Sequence, residues 1–117
     1  MPELQTFPTG TMVITIDETA DHYYIITRGE VEIFRHGDDG ETVPLRTLKA
    51  GDHFGEIALL KGMPRTANVR TLTPCDLLVF THDEFIVLLE RSPRLRESFD
   101  IEANFLLHTA AEDPSLP

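Results

Sequence analysis

Through the first two thirds of the chain, apolar and β-branched residues come in short runs separated by turn-forming residues. Met12–Ile16, Tyr23–Thr27, Val31–Phe34, Val43–Leu48, Ala67–Leu72 and Asp76–Phe80 each read as a strand. His36-Gly37-Asp38-Asp39-Gly40-Glu41 lies between two of them and predicts a hairpin whose tip, Asp38-Asp39, is solvated. Pro44 falls inside the return strand. It predicts an edge or irregular position, because proline has no N–H to give to the ladder.

Beyond Phe80 the period changes. Thr81 or His82 can cap a helix over Asp83–Arg91, with Asp83 and Glu84 in the first turn, where carboxylates complement the helix dipole. Phe85, Leu88 and Leu89 recur at helical spacing, and Ser92-Pro93 breaks the run. A second helical pattern follows from Leu95 through Phe99 and Leu106 to Ala111. The expected fold is mainly β with C-terminal helices (α+β): a β-roll or jelly roll with an inserted short helix and two terminal helices. A single domain covers residues 1–117, the roll over about 7–80 and the helical appendage over about 82–111.

Composition narrows the function. The chain has 117 residues, 41% hydrophobic, and a formal net charge of −10. An acidic surface repels phosphate backbones and anionic headgroups, so no nucleic-acid partner and no direct membrane contact are expected. The first ten residues lack a basic start and an apolar run, and no apolar run approaches a bilayer span. The expected location is cytoplasmic. Cys75 is the only cysteine, which excludes an intrachain disulfide and a cysteine zinc site. Beside Pro74 at a strand edge, it reads as a small buried residue. His22, His36, His53, His82 and His108 form no H-x-H or H-x-x-x-H pair, and His53-x-x-Glu56 is too small a set for a metal-dependent roll enzyme, so no metal is expected. No Ser/His/Asp set is discernible, and no enzymatic activity is expected.

One stretch, Gly51 to Val69, departs from the rest. Glu56–Lys61 can form about one and a half turns of helix, with Gly55 just before it. Residues 61–71 carry Lys61, Arg65 and Arg70 and no acidic residue. Unpaired N–H groups at a helix start, a glycine that permits close approach and the planar donor fork of Arg65 together suit an anion. Thr66 adds a hydroxyl and Ala67 an N–H. Glu56 is out of place beside an anion unless it accepts from hydroxyls of the same ligand. A small molecule with one phosphate and sugar hydroxyls uses both charges.

Phe54-Gly55-Glu56-Ile57-Ala58-Leu59-Leu60, a spacer ending at Pro64, and Arg65-Thr66-Ala67-Asn68-Val69 resemble the phosphate-binding cassette of cyclic nucleotide-binding domains. That module occurs in protein kinase A regulatory subunits, cyclic nucleotide-gated channels and the bacterial catabolite activator family. The resemblance extends over most of the chain, including Tyr24-Ile25-Ile26 and Gly29-Glu30-Val31 before the cassette and the helices after it. It implies that Glu56 holds the ribose 2′-hydroxyl and Arg65 the cyclic phosphate. Gly55, Ile57, Ala58, Thr66 and Ala67 would line the ligand or donate backbone N–H groups, and Leu59 and Leu60 would pack the short helix on the roll. Phe105 is the candidate lid over the base, with Leu106 or His108 next.

A hydroxyl at the Thr66 position resembles cGMP-binding members, and alanine there is common in cAMP-selective ones. One such contact is worth on the order of 1 kcal/mol, too little to fix the base, so the resemblance implies cAMP, slightly favoured, or cGMP as the ligand. The turn Asp17–Asp21 stands where family members usually carry glycines; Asp and Thr can still make it. The first strand is expected close to the start of the chain, with most of the family's N-terminal helical segment missing. The resemblance implies a non-catalytic sensor that signals by repositioning its C-terminal helices, partnered by a homo-oligomer or a larger effector. The competing reading is a degenerate domain of the same fold that binds no nucleotide and serves docking or dimerisation.

Overall fold

The computed structural model describes residues 1–97. Eight strands build two four-stranded antiparallel sheets. One has the order β1 (Glu3–Phe7), β8 (Cys75–Thr81), β3 (His22–Arg28), β6 (His53–Phe54). The other has the order β2 (Met12–Ile14), β7 (Asn68–Thr71), β4 (Glu30–His36), β5 (Thr42–Lys49). Helix α1 (Glu56–Lys61) joins β6 toward β7, α2 (His82–Arg91) follows β8, and residues 93–97 are again helical. The strand-rich body with its inserted and terminal helices is the expected roll.

Strand alternation explains where the apolar residues go. Tyr24, Ile26, Val31, Ile33, Val69, Leu77 and Val79 point between the sheets and, with Phe54, Leu48 and Ala67, form the main core. Their neighbours Tyr23 and Phe80 face the other side of the first sheet. There they meet Leu59 of α1 and Phe85 and Leu89 of α2, with Leu60, Leu88 and Leu95 packed around them. The first sheet is therefore covered on both faces, which is why β3 and β8 read as near-continuous apolar runs. Thr81 caps α2 in a reciprocal box with Glu84: the Glu84 N–H donates to the Thr81 hydroxyl at 3.1 Å, and the Thr81 N–H donates to Glu84 Oε1 at 2.9 Å.

Pro44 lies on β5, an edge strand, at a bulge where the pairing passes from Ile33↔Arg46 to Phe34↔Pro44. Both alternatives left open by the sequence hold there. The Asp38-Asp39 tip is exposed, and Cys75 is fully buried.

The start of the strand-rich region differs from the expectation. The roll begins at Glu3, ahead of both the boundary near residue 7 and the first strand expected at Met12. Glu3–Phe7 carries little apolar signal, and Leu4 is more than half exposed. It becomes a strand by pairing with β8, from Glu3↔Val79 to Phe7↔Cys75. β6 was also unanticipated. It is two residues long and is held by Tyr24↔Phe54 and Ile25↔His53 pairing, with the Tyr24 and Phe54 rings stacked at 4.9 Å between centroids. The expected continuation of the second terminal helix beyond residue 97, with Phe99, Phe105, Leu106 and His108, falls outside the described residues.

Candidate functional site

Gly55 sits between β6 and α1 in the left-handed region, with φ 95°. That conformation lets the chain turn sharply from strand into helix at little steric cost to glycine. A Cβ on Gly55 would lie 3.1 Å from Arg65 Nη1 and 3.2 Å from the His22 carbonyl oxygen, so a side chain here would crowd the arginine. α1 then buries Ile57, Ala58 and Leu59 and ends at Gly62, also left-handed. The short loop after it brings Arg65 back beneath Gly55.

Arg65 is 3% exposed. Its Nη1 donates to the Gly55 carbonyl at 2.7 Å and its Nη2 to the His22 carbonyl at 2.6 Å. Both acceptors are neutral, and among the described residues Arg65 makes no ion pair. Burial pushes the guanidinium below its ordinary range, while the charges of Tyr24, Asp21, Glu56 and Glu18 oppose that shift. Arginine nevertheless stays protonated in proteins. The result is a fixed, buried positive charge with spare donors. The same burial raises the Tyr24 phenol, and Arg65 counteracts it.

The backbone holds the arginine as firmly as its side chain does. The Arg65 N–H donates to the Glu18 carbonyl at 2.9 Å, and the Asp17 N–H donates to the Arg65 carbonyl at 2.8 Å. Asp17 adopts φ 71°, left-handed without being glycine, a conformation that Asp tolerates better than most residues. The acidic turn that departs from the family's glycine pattern therefore still makes a left-handed bend and clamps Arg65.

Glu56 opens α1 and is 6% exposed. Its Oε2 is buried and accepts no hydrogen bond among the described residues. Nδ1 of His53 lies 3.4 Å from it. A buried carboxylate oxygen without a hydrogen bond costs on the order of 1–3 kcal/mol, an arrangement that makes sense where a hydroxyl from outside completes it. Ala67 is fully buried just before β7, and Thr66 is half-buried between Arg65 and Ala67.

The structure joins Arg65 to Gly55 at the start of α1, where Glu56, Ile57 and Ala58 follow, with Thr66 and Ala67 next to Arg65 in the chain. Leu59 and Leu60 pack α1 on the second apolar cluster as expected. Phe105 lies outside the described residues. The sequence reading missed the carbonyls of His22 and Glu18, because backbone acceptors carry no residue signature. It weighed His53 only as a metal ligand. Among the described residues no group of three or more His, Cys, Asp or Glu could hold a metal ion, and no helix is long and apolar enough to cross a membrane.

The family model for the cyclic nucleotide-binding domain matches residues 4–92, from β1 to the end of α2. The chain belongs to the cyclic nucleotide-binding domain family. Among curated relatives, a cAMP-dependent protein kinase regulatory subunit of Yarrowia lipolytica is 40% identical over 85 residues, covering 73% of this chain and 22% of the relative. The cGMP-dependent protein kinase isozyme 1 of Drosophila melanogaster is 34% identical over 98 residues, 81% of this chain and 13% of the relative. Among solved structures, the Thermus thermophilus catabolite activator protein superposes with a TM-score of 0.73 at 26% identity, covering 90% of this chain and 55% of that one. The domain spans about a fifth of the length of the kinase regulatory subunits it matches.

Proposed function

We propose that this domain binds a cyclic nucleoside monophosphate, cAMP or cGMP, and regulates a larger effector without doing chemistry itself. The observation that carries the reading is Arg65: a buried cation held by two neutral carbonyls, beside a helix whose first residue has a buried carboxylate oxygen that accepts no hydrogen bond among the described residues. A cyclic phosphate has one negative charge for the guanidinium, and the ribose 2′-hydroxyl has a proton for Glu56. A simple inorganic anion would leave Glu56 unused and repelled.

The packing supports a route for output. α1 carries Leu59 and Leu60 into the cluster that also holds Phe85 and Leu89 of α2. A ligand that fits one arrangement of α1 better than another biases α2 through these contacts, and only that difference in affinity can shift the population. The relatives named as cAMP- and cGMP-dependent kinases or their subunits favour a regulatory setting, and Thr66 leaves both bases open.

The test is a thermal-shift and calorimetric titration with cAMP, cGMP and linear 5′-AMP, on the wild type and on Arg65→Lys. Ligand at about 100 times its dissociation constant stabilises the native state by roughly 2.7 kcal/mol. The expected result is a shift with cyclic nucleotide, none with 5′-AMP, and a large loss in Arg65→Lys, because an ammonium cannot reach both carbonyls and phosphate as a planar fork does. No shift with either cyclic nucleotide at millimolar concentration (~1 mM and above) overturns the reading in favour of a docking or dimerisation module.

A further inference from the structure

We propose that His53 is a positioning residue for Glu56 and makes nucleotide affinity depend on pH; this rests on the cyclic-nucleotide reading above. Pairing with Ile25 fixes His53 on β6, and the left-handed turn at Gly55 folds the next segment back. That puts His53 Nδ1 3.4 Å from Glu56 Oε2, with about a third of the imidazole exposed and less than a tenth of the carboxylate. The Tyr23 ring meets the imidazole edge-on at 5.7 Å and limits its orientations.

The chemistry follows from proton count. In the charged imidazole both ring nitrogens donate; Nδ1 and Oε2, 3.4 Å apart and not hydrogen-bonded to each other as they stand, are close enough for a small rotation of either side chain to close a charge-assisted hydrogen bond. A carboxylate offers about four lone-pair sites. Glu56 can therefore accept from His53 and still accept from a sugar hydroxyl. Protonated His53 orients the carboxylate, and it adds a positive charge to a site that must take an anion. When the imidazole loses its proton, both effects go.

The charges around this pair are specific. The charges of Asp21, Glu56 and Glu18 act on Arg65. From β3, His22 pairs with Asp21 at 2.7 Å and Tyr23 presents its ring. Asp52, beside His53 in the chain, accepts from the Lys49 N–H at 3.0 Å. Lys61 ends α1. Histidine is the side-chain type whose charge changes in the physiological range, so His22, paired with Asp21, is the control for His53. The sign is fixed by linkage. Bound anion raises the imidazole pKa, so affinity is greatest below the free-state value and is lost as pH rises through the bound-state value.

The experiment measures dissociation constants for cAMP and cGMP by calorimetry from about pH 5.5 to about pH 8, on wild type, His53→Gln and His22→Gln. Wild type is expected to bind roughly fivefold tighter at the acid end. His53→Gln, which keeps a donor but cannot titrate, is expected to bind with a flat profile, and His22→Gln to keep the slope. In the wild type, the His53 ring proton followed by NMR should titrate at higher pH when nucleotide saturates the site. A slope that survives in His53→Gln, a flat wild-type profile, or a His53 titration unmoved by ligand overturns the inference while leaving nucleotide binding intact. A wild type that binds neither nucleotide at any pH overturns both readings at once.

Discussion

Arg65 donates from Nη1 to the carbonyl oxygen of Gly55 at 2.7 Å, so the buried cation is tied to the residue directly before the one that carries the buried carboxylate. The two charges of the site therefore share one backbone turn. Changing the geometry at Gly55 moves both, and that coupling makes the glycine more than a flexible joint.

Gly55→Ala tests it. An L side chain in the left-handed region costs roughly 1–2 kcal/mol, and here its Cβ also meets Arg65 Nη1 at 3.1 Å and the backbone carbonyl of His22 at 3.2 Å. The guanidinium can give way, and the carbonyl less so. The expected outcome is a melting temperature lower by on the order of 4–8 °C for each kcal/mol lost, with nucleotide affinity reduced beyond that of a variant equally destabilised elsewhere. Thermal melts paired with binding isotherms check it.

Glu56→Gln separates a ligand role from a structural one. Removing a buried carboxylate that accepts no hydrogen bond at Oε2 among the described residues takes away a desolvation cost of about 1–3 kcal/mol. The unliganded variant should therefore be as stable as the wild type, or more so, in a urea titration. Binding should weaken by roughly tenfold or more, because a hydrogen bond to a charged acceptor is worth about 1.5–3 kcal/mol. A residue whose only task was folding would lose stability and leave affinity alone.

Asp76 gives a pH dependence of stability. Its carboxylate accepts from the Thr6 hydroxyl at 2.9 Å and from Arg28 Nε at 2.9 Å, joining β1, β8 and β3. The hydrogen bond from Arg28, and then that from Thr6, hold its pKa below the ordinary carboxylate value. A depressed folded-state pKa means the contribution is fully present above the unfolded value, near ~3.9, and is lost as pH falls through the folded value. Asp76→Asn lacks it at every pH. The gap in melting temperature between wild type and variant is expected at neutral pH and should close as the solution is taken below about pH 3. A gap independent of pH would show that the ion pair contributes nothing.

By itself, the sequence determined the local elements and the grouping of the site. β-branched runs and Gly/Asp/Pro turns were enough for six of the strands, because side-chain alternation and turn chemistry are properties of a few consecutive residues. The cap at Thr81, the helix bounds Glu56–Lys61 and the edge placement of Pro44 were legible for the same reason. Gly55, Glu56 and Arg65 could be grouped because they fall within one short segment of recognisable order.

The tertiary structure decided what depends on residues far apart in the chain. Glu3–Phe7 is a strand because β8 offers it a ladder, and His53–Phe54 because β3 does; neither has enough side-chain pattern to declare itself. Tyr23 and Tyr24 are chemically alike and adjacent, yet one packs under α2 and the other in the roll, which only the placement of the second apolar layer determines. The carbonyls of His22 and Glu18 that hold Arg65 are groups every residue possesses, so no sequence can mark them. Their role arises from long-range closure of the chain, which brings residues some forty positions apart to within 2.6 Å.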